Sequence, residues 1–348
     1  PSQQLIWPEP FSQQPSVLTC CERLFEEFQF LTELLIQLSE RSKGLEQAYQ
    51  RWQKMESLFK TLTTHQVQEG VHWVETTYYG FTIYFTPLEI AVECQALFAG
   101  YAKSWIFTSA TLSVGHSLEH FSSTIGLIDA TTLCLSSPFN YQEQAMLYLP
   151  RYIPDPKMPH YSTRLTAEIL PILRALNGRS MLLFTSYAMP HETYEQLNLS
   201  GDFLLLMQGS MSKEQLIQQF LHQPRSVLLA TQSFWEGVDI KGAALSCVVI
   251  DKLPFMNPDD PILQAKVSRS RAKGEDPFVT YQLPNAALLL KQGAGRLIRD
   301  KGDRGILVIC DPRLIARHYG PWLLSHLPPM RRTRELETVL TMIEVMYK

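Results

Sequence analysis

Between Val17 and Thr63 apolar residues return every three or four positions: Leu24, Phe28, Leu31, Leu35 and Leu38, then Leu45, Tyr49, Trp52, Met55 and Leu58. Side chains at that spacing line one face of a helix, so the stretch predicts two long helices broken near Ser42–Gly44. From Val71 to Phe85 the period drops towards two in VHWVETTYYGFTIYF, rich in β-branched and aromatic residues. This predicts a hairpin or two strands around Gly80. Residues 1–16, rich in Pro, Gln and Ser, show neither period and read as a loop. After Pro87 a helix is expected to about Gly100. A short strand at Ser104–Phe107 and a helix around Ser117–Ile125 follow, the helix closed by Gly126.

Beyond a stretch punctuated by Pro138, Pro150, Pro154, Pro156 and Pro159, the pattern alternates. A helix over about Ser162–Leu176, ending at Gly178, precedes a strand at Met181–Phe184. A strand at Phe203–Met207 leads to a helix at Ser212–Leu221. Strands at Val227–Ala230 and Ser246–Ile250 come before a helix over about Asp260–Ala272. Short, wholly apolar strands alternating with helices are buried on both faces. The fold class is therefore α/β, a parallel sheet covered by helices on both sides.

The stretch 284–311, PNAALLLKQGAGRLIRDKGDRGILVICD, has two-sided character. As a helix from Pro284 to about Asp300 it sets Gln292, Arg296 and Arg299 along one stripe, with Gly295 beside it. Leu290, Ala294 and Leu297 fall on the opposite, core-facing side. Arg carries a permanent charge on a planar donor fork, and glycine lets another surface come close, so the stripe suits a phosphate-bearing ligand. An ordinary amphipathic helix with solvated arginines fits the pattern equally well.

The 348 residues, 45% of them hydrophobic, are enough for a large core and two or more domains. A charged fraction of 19% argues against extensive disorder. The net charge of −3 leaves any nucleic-acid binding to a local surface. The six cysteines form no CxxC and no framework spacing, the pattern of reduced thiols in a cytoplasmic protein. No run approaches the ~20 apolar residues of a membrane span. The chain opens at Pro1 in mid-register, from which a fragment or processed product is expected.

Ligands of open α/β sheets collect at the carboxyl ends of strands. Four polar stretches are expected there: Thr108–Thr111, Thr185–Tyr187, Thr231–Asp239 and Gln292–Arg299. In this order they resemble the later motifs of superfamily 2 helicases. Thr108-Ser109-Ala110-Thr111 resembles the SAT motif, LLFTSY the fourth, ATQSFWEGVDIKG the fifth and QGAGRLIR the sixth. FWEGVD with VVIDKLPF (248–255) is similar to the XPD/DinG family. The ending KQGAGRLIRDKGDRGILVICDPRL with SHLPPMRRTRE resembles its bacterial YoaA branch. The likeness runs from about Trp73 to Arg334.

The resemblance implies a RecA-like sheet and places the family's roles on matching residues. Arg296 and Arg299 would reach the γ-phosphate of ATP held with Mg²⁺ between two motor lobes, Arg299 as the arginine finger. Gln292, Asp239, Gly237 and Gly295 would serve the nucleotide side. Ser109 and Thr111 would couple nucleotide to DNA. Thr185, Ser186, Gln208, Thr231 and Ser233 would donate hydrogen bonds to a single-strand backbone, and Trp235 would stack on a base or pack under its loop. The implied activity is 5′→3′ translocation on single-stranded or forked DNA in repair or replication. A replication protein such as the polymerase III chi subunit is an implied partner. The rival reading is a non-catalytic module that docks such a protein.

Three family features are missing from this stretch. There is no GxxxxGK[ST], no DEAH-type acid pair and no set of four cysteines for a 4Fe–4S cluster, all of which precede the SAT motif in the family. The implied division is 1–76 as the end of a helical arch-like insertion, 77–127 as the tail of the first motor lobe and 128–348 as the second lobe. The chain alone is then expected to lack ATPase activity. His116 and His120 have i, i+4 spacing, but HSLEH is not HExxH and no metal site is expected. Arg331, Arg332 and Arg334 form a basic cluster that could touch DNA or a partner, though most charge runs are simply solvated surface.

Overall fold

The computed structural model describes residues 3–6, 15–63, 70–101, 104–115, 117–235, 240 and 242–347. They fall into two compact units: Pro1–Trp105 with Ser122–Asp129 and Met256–Phe278, and Ile106–Phe121 with Ala130–Phe255 and Val279–Lys348.

In the first unit, helices Pro15–Ser39 and Lys43–Thr63 form the expected hairpin. The apolar face closes on aromatic packing: Phe28 stacks on Trp52 at 4.6 Å and on Phe59 at 5.1 Å. Trp52 Nε1 donates to Thr32 Oγ1 at 3.0 Å, which satisfies the one polar group that the indole brings inward. Strands β1 (Gln3–Ile6), β2 (Gly70–Thr76) and β3 (Phe81–Pro87) make an antiparallel sheet, with Leu5 opposite Val74 and Val74 opposite Ile83. The loop expected over residues 1–16 thus contains a strand. Four residues are too few to show a period, and pairing with a distant strand is what fixes them. Helix Pro261–Ala272, N-capped by Asp260 through Leu263 N–H at 2.9 Å, belongs to this unit and pairs Arg269 with Glu89 at 2.7 Å.

The second unit is built on seven strands: β4 (Ala145–Tyr148), β5 (Ser180–Leu183), β6 (Leu204–Met207), β7 (Ser226–Ala230), β8 (Cys247–Ile250), β9 (Gly305–Ile309) and β10 (Arg331–Thr333). Their order is β10-β4-β9-β8-β5-β7-β6 and every pairing is parallel. Alternate residues feed two cores, as the pleat dictates. Leu182, Val227, Leu229, Val249, Ile306 and Val308 meet helix Tyr161–Ala175 and the C-terminal helix Leu336–Tyr347 through Leu165, Ile169, Val339 and Ile343. On the other face Ile250 lies against helix Leu283–Ala294. The parallel sheet with helices on both sides is the fold class read from the sequence.

Helix Tyr161–Ala175 ends through Gly178, whose φ of +79° carries its N–H to Leu173 O at 2.9 Å. A side chain there would meet the Arg225 backbone at 2.5 Å, so glycine is required. Several elements of this unit escape the sequence pattern, among them β4, β10, the final helix, and helix Ala188–Asn198 between β5 and β6. β10 is an edge strand with Arg331 and Arg332 exposed, and it carries no apolar signature. The strand expected at Ser104–Phe107 is not formed; neither sheet includes it. Backbone without a neighbouring edge to bond to has no ladder to join.

Candidate functional site

Because the strands of the second unit are parallel, all end on one edge, and the residues just beyond them come together there. Gln208, after β6, accepts both the N–H of Thr231 at 2.7 Å and its hydroxyl at 3.1 Å, fixing the segment that leaves β7. The Nε2 donors of Gln208 have no partner among the described residues. Ser186 is half-buried and Tyr187 is 78% exposed. Ser233 is exposed, and its carbonyl takes a hydrogen bond from Lys213 Nζ at 2.7 Å. Lys213 also lies over the Phe234 ring at 5.0 Å. This edge therefore gathers neutral donors, a cation and an exposed aromatic ring.

Three expected strand-binding side chains face elsewhere. Trp235 is 1% exposed, with its ring against helix Leu283–Ala294, so it packs under the loop and offers no face to a base. The hydroxyl of Thr231 is taken by Gln208. Thr185 Oγ1 is buried without a hydrogen-bond partner, while its N–H donates to Asp251 Oδ1 at 3.1 Å. Both threonines shape the edge instead of facing outward from it. The exposed ring of the neighbourhood is Tyr187.

Beneath this edge two acids lie side by side. Asp311, after β9, is held by Arg313 at 2.6 Å and by Leu253 N–H at 2.7 Å. Asp251, after β8, has no such cation, and burial pushes its carboxyl up to about 7. The Tyr161 hydroxyl sits between the carbonyls of Asp251 and Cys310, and burial raises its pKa as well. Asp251 lies within the VVIDKLPF stretch, but no role was assigned to it from the sequence. A polar residue that ends a wholly apolar strand is the one available signal.

The Gln292–Arg299 stretch meets that edge only in part: Gly293 lies against Ile250, the last residue of β8, and Arg296 reaches the loop after β7, but the chain then turns back towards the start of β9. Helix Leu283–Ala294 stops six residues short of the expected Asp300, and a tight turn leads to Gly305 at the start of β9. Leu290, Ala294 and Leu297 do face the core. Arg296 does not share a stripe with Arg299. It is 8% exposed, and its guanidinium donates to the Trp235 carbonyl through Nε at 2.9 Å and through Nη2. These two bonds join its fork to the loop after β7.

Arg299 is half-buried, and its backbone N–H, with that of Asp300, donates to Asp303 Oδ2 at 2.8 Å. Gln144 Nε2 binds the carbonyls of Asp300, Lys301 and Asp303, so the turn carrying Arg299 is fixed from both ends. Gln292 is half-buried with Oε1 lacking a hydrogen-bond partner. Gly295, expected to admit another surface, meets only its own helix. The close approach is at Gly293, where a Cβ would stand 3.1 Å from the Trp235 ring and 3.2 Å from Ile250. Gly237 and Asp239 lie outside the described residues.

Ser109 Oγ lies 3.2 Å from Thr111 Oγ1 and accepts the Thr111 N–H at 3.1 Å, closing a local turn. Two residues on, Ser113 is joined to helix Leu283–Ala294: Lys291 Nζ donates to its Oγ at 3.2 Å. The basic cluster is partly structural, since Arg332 donates to Leu324 O at 2.9 Å and Arg334 Nε is buried. His116 lies outside the described residues, and among those described no three His, Cys, Asp or Glu side chains group as metal ligands. No described helix is long and apolar enough to cross a membrane.

Comparison with known proteins sharpens this picture. The helicase C-terminal domain family matches residues 169–330. The chain is 40% identical over 338 residues to the ATP-dependent DNA helicase YoaA of Haemophilus influenzae, covering 97% of this chain and 53% of that protein. It is 45% identical to YoaA of Escherichia coli over 88% of this chain and 48% of the relative. With the ATP-dependent helicase DinG of Mycobacterium tuberculosis the identity is 35%, over 71% and 38%. The chain thus spans about half the length of the YoaA relatives it matches. Among solved structures an XPD helicase superposes with a TM-score of 0.58 at 16% identity, covering 87% of this chain and 55% of that one, a likeness of fold.

Proposed function

Because the chain belongs to the XPD/DinG helicase family, in its YoaA branch, we propose that it is the C-terminal part of an ATP-dependent DNA helicase. It would act in the cytoplasm on single-stranded or forked DNA, moving 5′→3′ in repair or replication. In this reading 1–76 closes a helical insertion, 77–127 ends a first motor lobe and 128–348 forms the second. The observation that carries it is the strand-end edge. Ser186, Gln208 and Ser233 present neutral donors there, Lys213 adds charge, and Tyr187 exposes a ring. Neutral donors with one cation and a stacking surface track a nucleic-acid backbone without reading bases.

The nucleotide side rests on Arg299 and Gln292. A permanently charged planar fork on a braced turn, together with a buried amide oxygen without a partner, fits the distal phosphate end of ATP and its water. When bound, ATP with Mg²⁺ supplies the phosphoryl transfer that drives movement. Arg299 stabilises negative charge at the distal phosphate, and Gln292 orients a neighbouring donor. Arg296 instead clamps the Trp235 loop and so connects the nucleotide side to the segment that leaves β7. Lys291 connects the same helix to the Ser109–Thr111 turn through Ser113. With no phosphate-cradling loop in its sequence, this chain alone does not complete the reaction. Any 4Fe–4S cluster belongs outside it. A replication protein such as the polymerase III chi subunit is the proposed partner. DNA-stimulated ATPase activity of the full-length protein tests the reading, and turnover indifferent to single strands refutes it.

A further inference from the structure

Asp251 is 1% exposed at the carboxyl end of β8. One carboxylate oxygen accepts the Thr185 N–H at 3.1 Å, and the other is buried without a hydrogen-bond partner. The neighbouring cation does not serve it, because Arg313 grips Asp311 through Nε at 2.9 Å and Nη2 at 2.6 Å. The remaining groups that face it are the Tyr161 hydroxyl, the Cys310 thiol, Asp311 and Lys252. Only the amide and the charge of Lys252 and the Thr185 N–H favour an ionised carboxyl; desolvation outweighs them and Asp311 adds to it. A buried acid without a counter-ion costs stability that an amide or apolar residue would not, which makes such positions candidates for function.

What the acid holds is the backbone of Thr185, which follows the buried Phe184 just beyond the end of β5. The next two residues are Ser186 and Tyr187, the donor and the exposed ring of the proposed strand-binding edge. The arrangement parallels Gln208, which fixes Thr231 two positions before Ser233. Each polar clamp sits under a loop whose following residues face outward. We propose that Asp251 is a positioning residue for single-strand binding, holding the Thr185 backbone so that Ser186 and Tyr187 are presented to the nucleic acid. This rests on the function proposed above.

The ionised acid makes the stronger, charge-assisted bond to Thr185 N–H, so the loop is held more firmly above about pH 7 than below it. The test combines amide hydrogen exchange with binding of a fluorescent oligothymidylate by this chain, from pH 6 to pH 8. Asp251→Ala should speed exchange at Thr185 by about tenfold or more while the Leu182 and Leu228 amides stay protected. It should weaken oligothymidylate binding by about tenfold, the scale of one hydrogen bond to a charged group. Asp251→Asn keeps an acceptor and should return affinity to within about twofold. Intrinsic-rate-corrected protection of Thr185 should rise with pH in the wild type and stay flat in Asp251→Asn, a comparison that holds even if Asp251→Ala fails to fold. Unchanged Thr185 exchange in Asp251→Ala, or a flat wild-type profile, overturns the proposal. Loosened exchange with wild-type affinity overturns it while leaving strand binding intact. A wild-type chain that binds no oligothymidylate removes the proposal and the function together.

Discussion

Arg296→Met separates two roles that the sequence motif merges. The motif pairs Arg296 with Arg299 as nucleotide-facing cations, whereas the structure commits Arg296 to the Trp235 carbonyl. Methionine keeps much of the stem's packing and removes the charged fork. What is lost is a two-point, charge-assisted hydrogen bond in a site only 8% exposed, and what remains is a buried carbonyl stripped of this donor. Hydrogen bonds to charged groups contribute about 1.5–3 kcal/mol, and an orphaned buried acceptor costs a similar amount, so a loss of about 2–4 kcal/mol is expected. At about 2–4 °C per kcal/mol for a domain of this size, the thermal midpoint should fall by about 4–16 °C. Arg296→Lys should recover little, because an ammonium cannot reproduce the Nε and Nη2 pair. Differential scanning calorimetry on this chain gives the readout without nucleotide or DNA. A midpoint within 1 °C or so of wild type in Arg296→Met would refute the clamp and return Arg296 to the nucleotide side.

Three further outcomes follow from the same geometry. Asp251→Asn should stabilise the chain at pH 8. The folded carboxyl titrates at about 7 against an ordinary 3.8, so its contribution is present below the ordinary value and lost as pH rises to 7. At about 1.4 kcal/mol per unit the gain is at most about 4 kcal/mol, read by urea unfolding at pH 5 and pH 8, and a variant less stable at pH 8 contradicts it. Ser233→Ala should weaken oligothymidylate binding by about 1 kcal/mol, and binding should weaken as salt rises; Thr185→Ala, with its hydroxyl already buried, should lose less than Ser233→Ala. The chain by itself should show no DNA-stimulated ATP hydrolysis, and turnover by the purified 348 residues would demand another active site.

The parallel sheet was legible because β5, β7, β8 and β9 are almost wholly apolar and helices such as Tyr161–Ala175 and Lys213–His222 keep a 3.6-residue period. The edge strands β1 and β10 were not, since four residues such as QQLI or three such as RRT carry no periodic signal and owe their state to a neighbour. At the site, Leu290, Ala294 and Leu297 were placed on the core correctly. The helical wheel failed beyond Ala294 because the helix tightens into a turn there, which rotates Arg296 inward. Trp235, Thr185 and Thr231 show a second limit. Polar or aromatic identity says what a side chain can do, and only packing says which way it faces. Asp251 and Gly293 lay inside quoted motifs without an assigned role, because their roles are set by partners far away in sequence, Thr185 and Trp235.

The central claim is that Arg299 serves the nucleotide while Arg296 serves the fold. It is tested most directly by ATP turnover of the full-length protein carrying Arg299→Ala, with and without single-stranded DNA, beside the thermal midpoint of the same preparation. The bond that braces its turn comes from backbone N–H to Asp303 and survives the substitution. Turnover should fall by about 10³-fold or more, the range of an arginine finger, with the midpoint nearly unmoved. Wild-type turnover in Arg299→Ala would make that arginine ordinary helix-end surface and contradict the account.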